Sequence, residues 1–74
     1  MNTSEDIEQA KYIVLTLIRK LYALSEKCDD NDRSDYNKKI KQLQKDLKFV
    51  DKSVILEKIK NVYVPYLQQL EKEE

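Results

Sequence analysis

The chain has no glycine, histidine or tryptophan, and only one cysteine and one proline among its 74 residues. Tight β-hairpin turns usually rely on glycine because it tolerates positive φ angles, so the absence of glycine argues against a sheet protein. Charged residues make up 38% of the chain. Together with the hydrophobic periodicity described below, this composition predicts an all-α protein.

The missing residue types also exclude several kinds of catalytic and metal site. Without histidine, neither a nucleophile–histidine pair nor the usual zinc-ligand clusters can be assembled within one chain. Without glycine, a glycine-rich phosphate-binding loop cannot form. We therefore predict that the protein is not an enzyme and uses no cofactor and no metal ion.

Cysteine content, hydropathy and charge bear on where the protein acts. A single cysteine cannot form an intramolecular disulfide, which favours a reducing, cytoplasmic setting. The most apolar run, Tyr12 to Ile18, is too short to span a bilayer, which needs about 20 residues. The 14 basic and 14 acidic residues balance, so net charge predicts neither a nucleic-acid partner nor more than a peripheral membrane contact.

Three hydrophobic stripes with helical spacing run along the chain, because residues three or four positions apart lie on one face of an α-helix. The first stripe consists of Ile7, Ala10, Val14, Leu17, Leu21, Leu24 and Cys28, the second of Tyr36, Ile40, Leu43, Leu47 and Val50, and the third of Leu56, Ile59, Tyr63, Tyr66 and Leu70. The stripes predict helices over about 4–28, 34–50 and 53–70 of a single domain, 1–74, with a frayed acidic tail at 71–74.

The fold that satisfies these stripes is a small antiparallel three-helix bundle. Leu15, Ile18 and Tyr22 widen the first stripe, so we expect the first helix to contact two neighbours. The third stripe keeps its phase across Pro65, which predicts a kinked helix that continues through the proline. The alternative fold is a helical hairpin in which 34–70 form one long bent helix, and two such chains would pair as a homodimeric four-helix bundle.

The acidic segment CDDNDRSDY, 28–36, raises the question of calcium binding. A calcium loop of the helix–loop–helix type needs glycine at its sixth position and glutamate at its twelfth. Counted from Asp30, these positions hold Asp35 and Lys41. The pattern therefore favours a linker between two helices.

Residues that could cap the helix N-termini are present near each predicted start. Side chains of Ser, Thr, Asp and Asn accept hydrogen bonds from the first backbone N–H groups of a helix. The candidates are Thr3 for the first helix, Asp32 or Ser34 for the second, and Asp51 or Ser53 for the third.

Aromatic residues towards the C-terminus form the best candidate for a protein-binding surface. Tyrosine is enriched at interface hot spots, and a proline inside a helix leaves one backbone carbonyl without its helical partner. The candidate partner-binding residues are Phe49, Tyr63, Pro65 and Tyr66. Alternatively, the tyrosines fill the core with their hydroxyl groups at its edge.

The second predicted helix has a lysine-rich side that could bind phosphate or another anion. Its residues are Lys38, Lys41, Lys45 and Lys48. Asp46 and Asp51 interrupt this side, which makes a solvated helix face the simpler interpretation.

Cys28 closes the first stripe, which favours a buried and unreactive thiol. The neighbouring carboxylates of Asp29 and Asp30 oppose thiolate formation, and nucleophilic chemistry depends on the thiolate. We therefore assign no catalytic role to this cysteine.

Two features resemble known helical families. The stripes and the small size resemble the immunity proteins that protect lactic-acid bacteria against class II bacteriocins, which would imply a helical bundle at the inner membrane face. YNKKIKQLQKDLKFVD followed by ILEKIKNVYVPYLQQLEK is similar to the last two helices of the chaperone-binding BAG domains. Glu57 and Lys58 stand where that family has paired basic residues early in its final helix.

The sequence therefore predicts a cytoplasmic, non-catalytic protein-interaction module, such as an adaptor, inhibitor or immunity-type protein, that uses a helical surface near the last helix. One alternative is the immunity-like bundle at a membrane face. Another is a small nucleic-acid-binding regulator that uses the lysine side of the second helix.

Overall fold

The structure, a computed structural model, describes residues 4–73, which form three helices joined by two short turns. Helix α1 is Ser4–Lys27 and helix α2 is Asp30–Lys48. The C-terminal helix consists of an α-helical segment Ser53–Lys58, a π-helical turn Ile59–Tyr63 and an α-helical segment Val64–Glu73. The predicted all-α three-helix bundle is confirmed.

The alternative fold, a hairpin with one long helix over 34–70, is wrong. Residues 49–52 form a turn in which the Phe49 N–H donates to the carbonyl of Asp46 and the Lys52 N–H donates to the carbonyl of Phe49. The chain reverses there, so α2 and the C-terminal helix can face each other within one molecule.

The three predicted stripes meet in a single hydrophobic core. α1 packs along both α2 and the C-terminal helix, so it is the central contact of the bundle. The buried apolar residues are Ala10, Val14, Leu17, Ile18, Leu21, Ile40, Leu43, Val50, Leu56, Ile59, Tyr63 and Leu70.

The wider stripe on α1 is only partly used in this packing. Ile18 is buried, but Leu15 and Tyr22 are exposed, so the expectation that all three help α1 reach its neighbours is wrong for these two. The buried residues of α1 lie on one side of the helix, and Leu15 and Tyr22 lie on the side that faces solvent.

Helix α2 begins four residues earlier than predicted because Asp29 caps it. The Asp29 side chain accepts a hydrogen bond of 3.0 Å from the Asp32 backbone N–H. Asp30 and Asp32 lie in the first turn, where negative charge interacts favourably with the positive end of the helix dipole. Neither predicted cap, Asp32 or Ser34, holds that position, and the linker between α1 and α2 is limited to residues 28–29.

The C-terminal end of α1 is satisfied without glycine. Helices often end at a glycine with positive φ, but no described residue has positive φ. Instead, Arg33 donates from Nε to the carbonyl of Ser25 at 3.0 Å and from Nη2 to the carbonyl of Cys28 at 3.4 Å. Cys28 is half-buried rather than fully buried, and its thiol donates to the carbonyl of Leu24 at 2.9 Å.

The remaining predictions about helix ends need correction. Lys52 holds the N-cap position of the C-terminal helix without a side-chain cap bond, so neither Asp51 nor Ser53 caps it. Residues 71–73 are helical rather than frayed, while Glu74 lies outside the described residues. The cap predicted at Thr3 also lies outside them.

The helix continues through Pro65, as expected, because a wider turn precedes it. In the turn Ile59–Tyr63 the hydrogen bonds span five residues, and the Val64 N–H donates to the carbonyl of Ile59. A proline ring would clash with the carbonyl four residues back in a regular α-helix. We attribute the π-helical turn to this constraint, since widening the turn moves the preceding carbonyls away from the ring.

Candidate functional site

An apolar groove with a volume of ≈ 300 Å³ lies between α2 and the C-terminal helix. Its walls are predominantly apolar, and it is about large enough for one large side chain of a partner. The residues that line it are Lys39, Gln42 and Leu43 from α2, and Val62, Tyr63 and Tyr66 from the C-terminal helix.

The groove follows from two antiparallel helix faces with matching spacing. On α2, Lys39, Gln42 and Asp46 are three and four residues apart and therefore share one side of the helix. Contacts pair Lys39 with Tyr66 and Asp46 with both Tyr63 and Lys58, so higher numbers on one helix meet lower numbers on the other.

Lys39 places a positive charge at the rim of the groove. Its Nζ lies 5.3 Å from the centre of the Tyr66 ring and 5.9 Å from the centre of the Tyr36 ring. It also donates a hydrogen bond of 3.4 Å to the Tyr66 hydroxyl. Cation–π contacts at exposed sites contribute about 0.5–1 kcal/mol each, enough to favour this position of an exposed lysine.

The wall of the groove is fixed by a buried carboxylate. Asp46 is only 3% exposed and accepts hydrogen bonds from the Tyr63 hydroxyl, from Lys58 Nζ at 3.0 Å and from Gln42 Nε2 at 3.0 Å. A buried carboxylate is tolerated only when such partners replace water. The network therefore holds the Tyr63 ring in one position against the groove.

The same network shifts three pKa values. Burial alone would raise the pKa of Asp46, but the hydrogen bonds from Tyr63, Lys58 and Gln42 outweigh it and leave the pKa below its ordinary value of 3.8. The hydrogen bond to Asp46 raises the pKa of Lys58 despite partial burial. Burial and the hydrogen bond to Asp46 raise the pKa of Tyr63. Asp46 and Lys58 are therefore both charged at neutral pH.

Two of the four predicted partner-binding residues, Tyr63 and Tyr66, line the groove. Tyr66 is half-buried, whereas Tyr63 is only 7% exposed and also packs in the core, with its hydroxyl bonded to Asp46. Pro65 is exposed but does not line the groove. Phe49 directly follows α2, ten residues beyond Lys39 and hence about 15 Å from it along the helix, but only three residues beyond Asp46, the hydrogen-bond partner of Tyr63. Phe49 is exposed and does not line the groove, so its part in a binding surface stays a prediction.

The lysine side of α2 is exposed and continuous. Its four residues, Lys38, Lys41, Lys45 and Lys48, all face solvent. Asp46 does not interrupt them, contrary to the sequence interpretation, because it points inward at the C-terminal helix.

The sequence pattern did not identify the polar residues that line the groove, Lys39 and Gln42, or those that hold Tyr63 in place, Asp46 and Lys58. A signal was present for Asp46, which is three residues after Leu43 and four before Val50 and therefore shares the buried side of α2. Its partner Lys58 comes from another helix, and no spacing within α2 could identify it.

No helix within residues 4–73 combines the length and apolar character that crossing a bilayer requires. Comparisons of the chain with protein-family models, with curated proteins and with solved structures find no match.

Proposed function

We propose that this protein is a non-catalytic interaction module that binds another protein through the groove between α2 and the C-terminal helix. The observation that carries the proposal is the combination of a predominantly apolar groove with the Lys39 ammonium group at its rim. Apolar grooves between helices are a recurrent way of holding an amphipathic helix from a partner.

The chemistry of the groove defines the partner segment. One large apolar side chain would enter between Val62 and Tyr66, and the exposed part of Val62 would extend the contact. A carboxylate about one helical turn from that anchor would meet Lys39. The partner segment is thus amphipathic and acidic.

The groove needs little rearrangement to accept such a segment. Tyr63 is already held by Asp46, and Tyr66 is already held by Lys39. Binding sites that are ordered before binding lose less conformational entropy, so more of the contact energy appears as affinity.

Two groove variants and two matched controls test the proposal. Val62→Glu and Lys39→Glu alter the groove, while Val54→Glu and Lys45→Glu make the same changes at exposed positions away from it. Each folded variant is used to capture proteins from native extract, which are quantified by mass spectrometry. Affinity for the purified captured protein is then measured by calorimetry.

We expect one acidic protein to be captured by both controls and lost from both groove variants. The groove variants should bind that purified protein at least about tenfold more weakly, which corresponds to about 1.4 kcal/mol of binding free energy. Capture that is identical for all four variants, or lost equally in the controls, would contradict the proposal.

A second candidate function is nucleic-acid binding by the lysine side of α2. The supporting observation is that four exposed lysines form a row about 15 Å long, with Asp46 directed away from it. A gel-shift titration at low salt tests it, since phosphate contacts weaken steeply as salt rises. The binding should disappear in Lys41→Glu, and the absence of any shift for the unmodified protein would exclude this function.

A further inference from the structure

The outer side of α1 carries a second exposed surface, remote from the groove. Tyr12 is 69% exposed and Tyr22 is 47% exposed. Single exposed apolar residues are ordinary on protein surfaces. On α1, three exposed apolar or aromatic residues and three exposed charged residues follow one another at spacings of 4, 3, 4, 3 and 4. They therefore share one helix face, which consists of Glu8, Tyr12, Leu15, Arg19, Tyr22 and Glu26.

The first four residues of this face have a symmetry that suggests what covers it. Glu8, Tyr12, Leu15 and Arg19 are spaced 4, 3 and 4, which reads the same in both chain directions. The charges change places when the chain direction is reversed, because Glu8 at one end is acidic and Arg19 at the other end is basic. A second copy in antiparallel orientation is therefore complementary to this face.

In that arrangement Glu8 lies opposite Arg19 of the second copy, and Tyr12 lies opposite Leu15 of the second copy. The two-fold axis repeats each pair, as in any isologous interface. A parallel pair would instead place Glu8 opposite Glu8 of the second copy and Arg19 opposite Arg19 of the second copy. Repulsion between these like charges disfavours the parallel pair. A shifted antiparallel pair that joins Arg19 to Glu26 would leave Leu15 beyond the end of the second copy's α1, which stops at Lys27.

We propose that the outer face of α1 is a homodimer interface with the antiparallel register that pairs Glu8 with Arg19 of the second copy. Two crossing helices with four facing side chains each bury less surface area than a standard stable interface. We therefore expect a weak dimer with a dissociation constant in the micromolar-to-millimolar range. No α1 residue lines the groove, so the dimer leaves both grooves open. A protein with a groove-binding segment repeated along its chain would then gain avidity.

Charge reversal tests both the dimer and its register. Sedimentation equilibrium over micromolar to millimolar concentrations is measured for Glu8→Arg, Arg19→Glu and the double variant. Each single reversal places like charges opposite each other twice, so we expect association to weaken at least about tenfold. The double variant restores both pairs with opposite polarity and should associate to within about threefold of the unmodified protein.

Glu26→Arg is the matched control, because Glu26 shares the face but lies outside the proposed pairing. We expect it to leave association unchanged. A chain that stays monomeric at millimolar concentration, a double variant that does not recover, or a Glu26→Arg variant as weak as Glu8→Arg would overturn the proposal. All these positions are exposed, and circular dichroism checks that each variant is folded.

Discussion

Replacing Asp46 with alanine should destabilise the bundle more than any other change of an acidic residue on α2. The Asp46 carboxylate is buried and accepts hydrogen bonds from Tyr63, Lys58 and Gln42. Its loss leaves those donors without their acceptor. What matters for stability is how easily each of them can turn to water.

The structure separates the three donors by their exposure. The Tyr63 hydroxyl is buried, and a buried donor left unpaired costs about 1–3 kcal/mol. The Lys58 side chain is partly exposed and can regain water, so its pairing contributes about 0–1 kcal/mol. Gln42 is exposed and adds little. We therefore expect Asp46→Ala to lower the free energy of unfolding by about 1–4 kcal/mol.

This loss is large for a chain of 74 residues, whose total stability is expected to be about 4–11 kcal/mol. Urea unfolding followed by circular dichroism measures this loss, and the unfolding midpoint should fall by about 1–4 M, given a denaturant slope of about 1 kcal/mol per M. Asp35→Ala, at an exposed position of α2, is the control and should stay within about 0.5 kcal/mol of the unmodified protein.

A double-mutant cycle shows whether the Tyr63 hydroxyl carries the effect. Tyr63→Phe alone should cost about 1–2 kcal/mol, and it should cost much less when Asp46 is already alanine. A loss of less than about 0.5 kcal/mol in Asp46→Ala, or additivity of the two substitutions, would refute the stabilising role of the Asp46–Tyr63 hydrogen bond.

The pH dependence of stability has a definite sign. Because the pKa of Asp46 lies lower in the folded protein than its ordinary 3.8, the unfolded chain takes up this proton first as pH falls. The stabilisation from ionised Asp46 is therefore complete above about pH 4–5 and is lost as pH falls through the pKa of Asp46 in the folded protein. The stability difference between the unmodified protein and Asp46→Asn should shrink over this acid range.

Alkaline conditions act through the two donors. The pKa of Lys58 is raised above its ordinary 10.5 and that of Tyr63 above its ordinary 10.0. The stabilisation that protonated Lys58 and protonated Tyr63 contribute is complete below the ordinary pKa values of these groups. It is lost as pH rises through their pKa values in the folded protein. Unfolding midpoints that do not change between neutral and strongly alkaline pH would contradict this assignment.

Three further substitutions probe the remainder of the bundle. Leu17→Ala removes a fully buried side chain of α1 and should lower stability by about 2–5 kcal/mol in thermal melts. Arg33→Ala removes the donors that bond the carbonyl groups at the end of α1 and should lower the free energy of unfolding by about 1 kcal/mol. Arg33→Lys should recover little of this loss, because lysine lacks an Nε–H in this position. Lys48→Glu, at an exposed position, should change stability by less than about 0.5 kcal/mol, and a larger loss would mean that the lysine side of α2 is not simply solvated.

The course of the chain was predictable to the extent that local patterns specify it. The stripes from Ile7, Tyr36 and Leu56 identified the three helices because helical spacing is a property of one segment at a time. The start of α2 was missed because both Asp29 and Asp32 are suitable caps, and sequence does not show which one accepts a backbone N–H. Arg33 was missed as a helix-end donor for a similar reason, since its acceptors belong to the preceding helix.

By itself, the sequence determined that the protein is helical, that it contains no histidine or glycine and one cysteine, and which side of each helix is apolar. These properties depend on residue type and on spacing within single segments. Only the tertiary structure decided that Asp46 is buried against Tyr63 and Lys58, that Phe49 lies outside the groove, and that the outer face of α1 is exposed. Each of these depends on how two helices meet, and that is set by the packing of the entire bundle.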